Sequence, residues 1–365
     1  MIPWLFQSSW KRSAVALLLL LALIVLLLGG YLKEVESANS RRVATFLQQL
    51  GVDDAAGLWA LSVSQRDPSL FPLRDYSWLP QFIATHGETD VVSSQQRSEL
   101  LELIRQSDLF VPARIVTLEY SAKLISQAFN LFRKKGLVED SDVSIDLQQD
   151  LSRWHDGVEL MESMLGGRVL IGELMRLNIL EKILNRSHEW LNLDAPELAR
   201  ILETLARVQR PQASMARAIH IETLVQIEAF TDLFKQSAGS PSELPWSLLP
   251  SLDFQFFLDH TLRKNIDPFT PENLAWANHQ GVLDPPFYAV ISKMLMIPTV
   301  SMTSRATAGE DLLQLTRAAF ECVLARKQGL EWQLPAGMSW VKDSKNVLQV
   351  VRAEGASGVL IAIPE

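Results

Sequence analysis

Residues 13–32 constrain this chain more than any others. They read SAVALLLLLALIVLLLGGYL, and 14–28 are apolar without a break. At 1.5 Å per residue, a helix of this length reaches about 30 Å, the thickness of a bilayer's hydrocarbon core. A helix that is apolar on every face has no side to offer water, which makes it a poor core helix for a soluble domain. The stretch therefore predicts a transmembrane anchor at 13–32, with the rest of the chain on one side of the membrane.

A signal peptide removed after export is the competing reading. Cleaved signals have a shorter apolar centre, then small residues at the cut. Here the centre is long, and Gly29-Gly30-Tyr31-Leu32-Lys33-Glu34-Val35-Glu36-Ser37-Ala38 contains no A-x-A triplet. A cut after Ala38 would put Glu36 where a small side chain belongs. The expectation is a retained single-pass signal-anchor. Lys11 and Arg12 abut the span on its short side, while Lys33, Arg41 and Arg42 follow it among Glu34 and Glu36. The basic pair favours a cytoplasmic N-terminus. The expected location is a bacterial inner membrane, with the bulk of the chain in the periplasm. Trp4, Trp10 and Tyr31 suit the two interfaces.

Charge excludes some partners. Lys11 and Arg12 are the only charged residues before Lys33, so 32 of the 34 Lys and Arg lie beyond the span, against all 42 Asp and Glu. An acidic domain lacks the cations that neutralise phosphates, so no nucleic acid partner is expected. No Walker loop and no G-x-G-x-x-G occurs, so no nucleotide is expected either. No Cys or His cluster has metal-ligand spacing, and no cofactor is implied. The single cysteine, Cys322, sits among Ala318, Ala319, Val323 and Ala325, a setting for a buried small side chain rather than a nucleophile.

Beyond the anchor the chain reads as mainly α, an antiparallel array of helical hairpins ending in a small C-terminal β patch. A tail (1–12) precedes the anchor, and a stalk and Pro/Trp-rich entry segment (33–93) follows it. Within that segment, Gly51-Val52-Asp53-Asp54 breaks the stalk helix, and 55–92 reads as ordered loop with short helices. A helical core is expected over 94–238, with apolar stripes at 3.6-residue spacing. Its segments are 94–109, 112–134, 143–165, 168–191, 196–208 and 211–236. Asp194 and Glu197 make a capping box ahead of the fifth. Residues 239–300 read as a linker with short helices near 251–264, 271–279 and 285–296. Residues 301–365 hold a long helix near 306–328, then β-type runs at 347–351 and 358–363 split by Glu354-Gly355-Ala356-Ser357, with Trp340-Val341 as a possible third strand.

Three short motifs stand out in that order. They are Leu170-Ile171-Gly172-Glu173-Leu174, then Arg217-Ala218-Ile219-His220-Ile221-Glu222, then Arg317-Ala318-Ala319 leading to Leu334-Pro335. With the N-terminal span, they resemble a group of single-span bacterial membrane proteins with helical extracytoplasmic domains, common in planctomycetes. The resemblance covers 100–365. It departs from the group at Ala325-Arg326-Lys327-Gln328-Gly329, where a Tyr-Arg-x-x-x-Gly stretch is usual, and it lacks the group's Asp-Pro-Phe near the tail. It implies fold and topology, and no chemistry.

The candidate catalytic residues are Glu173 and Glu222. Two carboxylates facing each other could act as general acid and base in glycan cleavage. The bland alternative is a buried ion pair, for example of Glu222 with Arg217 or Arg176. The histidine pairs His155-Asp156, Asp259-His260 and His188-Glu189 put neighbours on diverging helix positions. The aromatic set Trp246, Phe254, Phe256 and Phe257 reads as core or an interaction surface. The leading expectation is therefore a membrane-anchored protein-interaction or envelope-assembly component with a protein partner. The alternatives are an envelope hydrolase using Glu173 and Glu222, and a helical domain binding an apolar ligand.

Overall fold

The computed structural model describes residues 4–64, 66–86, 94–109, 127, 147–165, 170–237, 248–273, 299–341, 346–352 and 355–364. The chain is mainly α with a small antiparallel sheet at its C-terminus, as the periodicity predicts. Its helices are α1 (Trp4–Leu50), α2 (Ala55–Ser64), α3 (Leu79–His86), α4 (Ser94–Gln106), α5 (Leu147–Leu165), α6 (Leu170–Ser187), α7 (Ala195–Ala206), α8 (Pro211–Ser237), α9 (Leu248–Asn265) and α10 (Thr299–Gln328). The strands are β1 (Met338–Trp340), β2 (Val347–Arg352) and β3 (Gly355–Ala362). The expected helices at 112–134 and 285–296, most of that at 271–279, and Trp246 lie outside the described residues. Packing divides the chain into two compact units, Met1–Asp53 with Thr223–Ile266 and Val282–Ile297, and Asp54–Glu222 with Asp267–Gly281 and Pro298–Glu365.

In the first unit, α1 is a single helix of 47 residues, so anchor and stalk form one rod about 70 Å long. Among the described residues it is the helix long and apolar enough to cross a membrane. Among the described residues nothing covers its apolar stretch: Val25 is 67% exposed and Leu26 72%. Past Leu32 the helix becomes one-sided. Val35, Asn39 and Phe46 are buried, at spacings that keep them on one face. Helix α9 packs along this stalk. Asn39 Nδ2 donates to the Ser251 carbonyl at 3.2 Å, and Arg42 Nη1 meets Asp259 Oδ1 at 2.6 Å. The part of α8 from Thr223 onward packs on α9. Phe230 lies 5.0 Å, centroid to centroid, from both Phe254 and Phe257, and Asn265 Nδ2 donates to Thr223 Oγ1 at 2.7 Å. Gly51 ends α1 at φ 68°, with Gly51 N–H donating to Gln48 O and Val52 N–H to Leu47 O, both at 3.1 Å. This is a helix stop that needs the left-handed conformation glycine adopts freely.

The second unit is a helical core with the sheet packed on it. Helix α5 packs on α4, α6 and α7, and α10 crosses both α6 and α7. Gly309 of α10 faces the Leu177 and Pro211 side chains, where an added Cβ would sit at ordinary van der Waals distance, 3.4 Å and 3.6 Å. Asp194 Oδ1 accepts from the Glu197 N–H at 3.2 Å, capping α7 as its sequence predicts. Residues 66–86 of the entry segment are tied to this core. Phe71 N–H donates to Arg207 O at 3.3 Å, Arg74 N–H to Ser163 O at 3.1 Å, and the Arg207 guanidinium lies 4.0 Å over the Phe71 ring.

The sheet runs β1-β2-β3, all antiparallel. Leu348, Val350, Ile361 and Ile363 are buried and the sheet packs on α10. Gly355, Ala356 and Ser357, expected to separate the strands, instead belong to β3, with Ala356 opposite Val351. A register shift between Gln349 and Val351 absorbs the irregularity, which sequence alternation could not reveal.

Candidate functional site

Helix α6 carries Glu173 and Arg176 three residues apart, which places them as neighbours on one helix surface. Both side chains are completely buried, as is Glu162 on α5. Arg176 binds both carboxylates. Its Nε donates to Glu173 Oε2 at 2.9 Å, its Nη2 to Glu173 Oε1 at 2.7 Å, and its Nη1 to Glu162 Oε1 at 2.5 Å. Nη1 also reaches the Gln209 carbonyl at 3.3 Å. The remaining acceptor capacity is taken up locally. Glu162 Oε2 accepts from the Gln209 N–H at 3.2 Å, and Glu173 Oε2 accepts from Ser214 Oγ at 2.6 Å. Arg66 Nη2 lies 3.9 Å from Glu162 Oε2 and brings a second cation to two anions.

Burial opposes charge on Arg176, but the two carboxylates outweigh it and hold the guanidinium's pKa above its ordinary value. Within the network, Arg176, Glu162 and Glu173 each meet a hydrogen-bonded opposite charge, while Arg66 faces Glu162 across a gap too long for a hydrogen bond. The network links α5, α6, the turn at Gln209 and the first turn of α8. It locks those elements together, and with its side chains excluded from solvent it offers no carboxylate to a substrate.

Of the two carboxylates singled out from sequence, Glu173 is therefore a member of this cluster. Its partner is Arg176, with Glu162 as the second acid. Glu222 stands elsewhere. It is half-buried on α8, eight residues beyond Ser214, which puts it about 12 Å along the helix and about 80° around it. Burial raises its pKa above the usual carboxylate range. Arg217, which the sequence offered as a partner for Glu222, has its pKa lowered by burial, with the Glu173 charge opposing that shift.

His155 on α5 is buried beside Trp154, their rings 5.0 Å apart and nearly perpendicular, and its Nδ1 lies 2.6 Å from Thr204 Oγ1. Burial first, and the Arg200 charge second, lower its pKa to about 4, so the ring is neutral near pH 7. His260 Nδ1 lies 2.7 Å from the Phe256 carbonyl while its neighbour Asp259 faces Arg42, the divergence expected of adjacent helical residues. Cys322 is 2% exposed, and burial raises its thiol pKa, with Arg326 opposing. It is the buried small residue its neighbours predict, with no thiolate character.

Glu162 and Ser214 were not singled out, although a signal exists. Glu162 follows Val158 by four residues and Trp154 by eight, so it falls on the apolar stripe of its helix. A charge on that stripe needs a buried partner. No protein-family model matches the chain, and no curated protein or solved structure matches it either.

Proposed function

We propose that this chain is a single-pass membrane protein whose helical units lie outside the cytoplasm and act as a protein-interaction or assembly component of a bacterial envelope. The observation that carries the reading is the bareness of α1. Fifteen consecutive apolar residues are left exposed, whereas the other exposed large apolar side chains among the described residues, such as Leu109, Ile171 and Leu330, are scattered singly, and lipid is the solvent that suits such a continuous surface. The buried Glu162–Arg176–Glu173 network supports a structural rather than a catalytic part for the most conspicuous acids. The resemblance to planctomycete single-span proteins belongs to the same proposal. Photo-crosslinking of the full chain in intact cells tests it: recovery of one defined envelope protein is the expected result. A chain that stays monomeric and uncrosslinked, or that fractionates as a soluble protein, refutes it.

The hydrolase reading keeps one favourable observation, the raised pKa of Glu222, which is a property of a general acid. It predicts that purified protein cleaves envelope glycan and that Glu222→Gln abolishes the cleavage. No turnover by the unsubstituted chain ends it.

A further inference from the structure

We infer that the first unit makes a second contact with the bilayer, in which the pair of α8 and α9 stands with the last turn of α8 and the first turn of α9 in the phospholipid headgroup layer beside the anchor. The inference rests on residues 13–32 being a membrane span, and the rest follows from register.

Asn39 lies seven residues past Leu32, about 10 Å beyond the apolar stretch. It is bonded to Ser251, and Arg42, farther from the anchor, is bonded to Asp259, farther along α9. Both sequences therefore advance together, and α9 runs parallel to the stalk with its N-terminus toward the membrane. Were α9 antiparallel, Asp259 would lie on the anchor side of Ser251, out of reach of Arg42. The α8–α9 pair has the opposite sense. Thr223 pairs with Asn265, while Phe230, later in α8, packs on Phe254 and Phe257, earlier in α9. Helix α8 thus descends toward the membrane as α9 rises from it.

Two counts, both starting from the Asn39–Ser251 pair, place the two helix ends at similar heights. Leu248, three residues before Ser251, lies about 6 Å above the level of Leu32. Ser237, seven residues beyond Phe230, lies about 7 Å above it by the same helical rise. The headgroup region adds about 5–7 Å to each side of the hydrocarbon core. The last turn of α8 and the first turn of α9 both fall in that layer, while Ile266 at the other end of the pair stands well above it.

The test uses the full chain with Cys322→Ala, reconstituted in phosphatidylcholine nanodiscs, with one fluorophore on a cysteine at Leu248, Ser237, Ile266 or Val25. Quenching is read with nitroxides carried on the lipid headgroup or mid-chain. The expected result is several-fold quenching of Leu248 and Ser237 by the headgroup nitroxide, none at Ile266, and quenching of Val25 by the mid-chain nitroxide. If Val25 is quenched but Leu248 and Ser237 are as silent as Ile266, the contact is wrong and the anchor stands. If Ile266 is quenched as strongly as Leu248, the pair lies flat and the upright register is wrong. If Val25 is silent, the anchor fails and the contact fails with it.

Discussion

Arg176 and Glu162 meet at 2.5 Å with both side chains cut off from solvent, and Arg176 is also the cation that Glu173 binds. Removing one partner of such a pair costs about 3–5 kcal/mol, because the charge left behind keeps its desolvation penalty. Arg176→Met strands two carboxylates and is expected to cost at least that much. Replacing Glu162, Glu173 and Arg176 together by apolar residues of similar size should recover most of the loss. Denaturant unfolding of the two variants in detergent checks both outcomes.

His155 gives the fold a defined weakness to acid. Its pKa is about 4 in the folded chain against an ordinary 6.5, so between those values the unfolded chain binds a proton that the folded chain refuses. Stability from this residue is complete above pH 6.5 and falls as pH drops toward 4. The loss is at most about 3 kcal/mol. Paired carboxylates add acid sensitivity of their own, so the useful quantity is a difference. The advantage of the unsubstituted chain over His155→Gln should shrink by that order between pH 7 and pH 4.

Glu222 works in the other direction. Its pKa is raised by burial, so above the ordinary value of 4.5 the folded chain holds a proton that the unfolded chain releases. Its contribution to stability is greatest at low pH and is lost as pH rises through the folded pKa. Glu222→Gln is therefore expected to raise the melting temperature by a few degrees at pH 7.5, with the gain vanishing near pH 4. Thermal melts at the two pH values read it directly.

The stalk offers a contrast between buried and exposed contacts. Phe46 is 1% exposed, and Phe→Ala at such a site costs about 3–5 kcal/mol. Arg42 and Asp259 pair at 2.6 Å with about two-fifths of each side chain exposed, a pair worth about 0–1 kcal/mol. Limited proteolysis of Phe46→Ala should open the first unit, while Arg42→Ala should leave the digestion pattern unchanged.

Much of the architecture was legible because helical amphipathicity is a local property. The cap at Asp194, the stop at Gly51 and the stripe of α5 each declare themselves within about one or two turns. The continuation of the apolar span into a stalk helix over 36–50 was legible as well, and the structure makes the two one helix through Gly29-Gly30. The polar cluster was legible only in part. Glu173 drew notice for its apolar helix, but the rest of its cluster comes from α5, the turn at Gln209 and α8, with Ser214, which donates to it, 41 residues away in sequence. Spacing along a chain carries no information about which distant helix supplies a counter-charge. The bulge in β2–β3 was hidden for a similar reason, because it is set by pairing between strands.

Helix α1 passes through Gly29-Gly30 with no neighbouring atom within 4 Å of either position where a side chain would start. Paired glycines are where a long helix yields most readily, each weakening it by about 1 kcal/mol relative to alanine. In the membrane placement proposed above, the joint of this rod falls at the edge of the lipid, below Val35 and the whole contact with α9. When the anchor tilts, stalk and helix pair must swing as one piece about that point, like a mast stepped in a pliant socket.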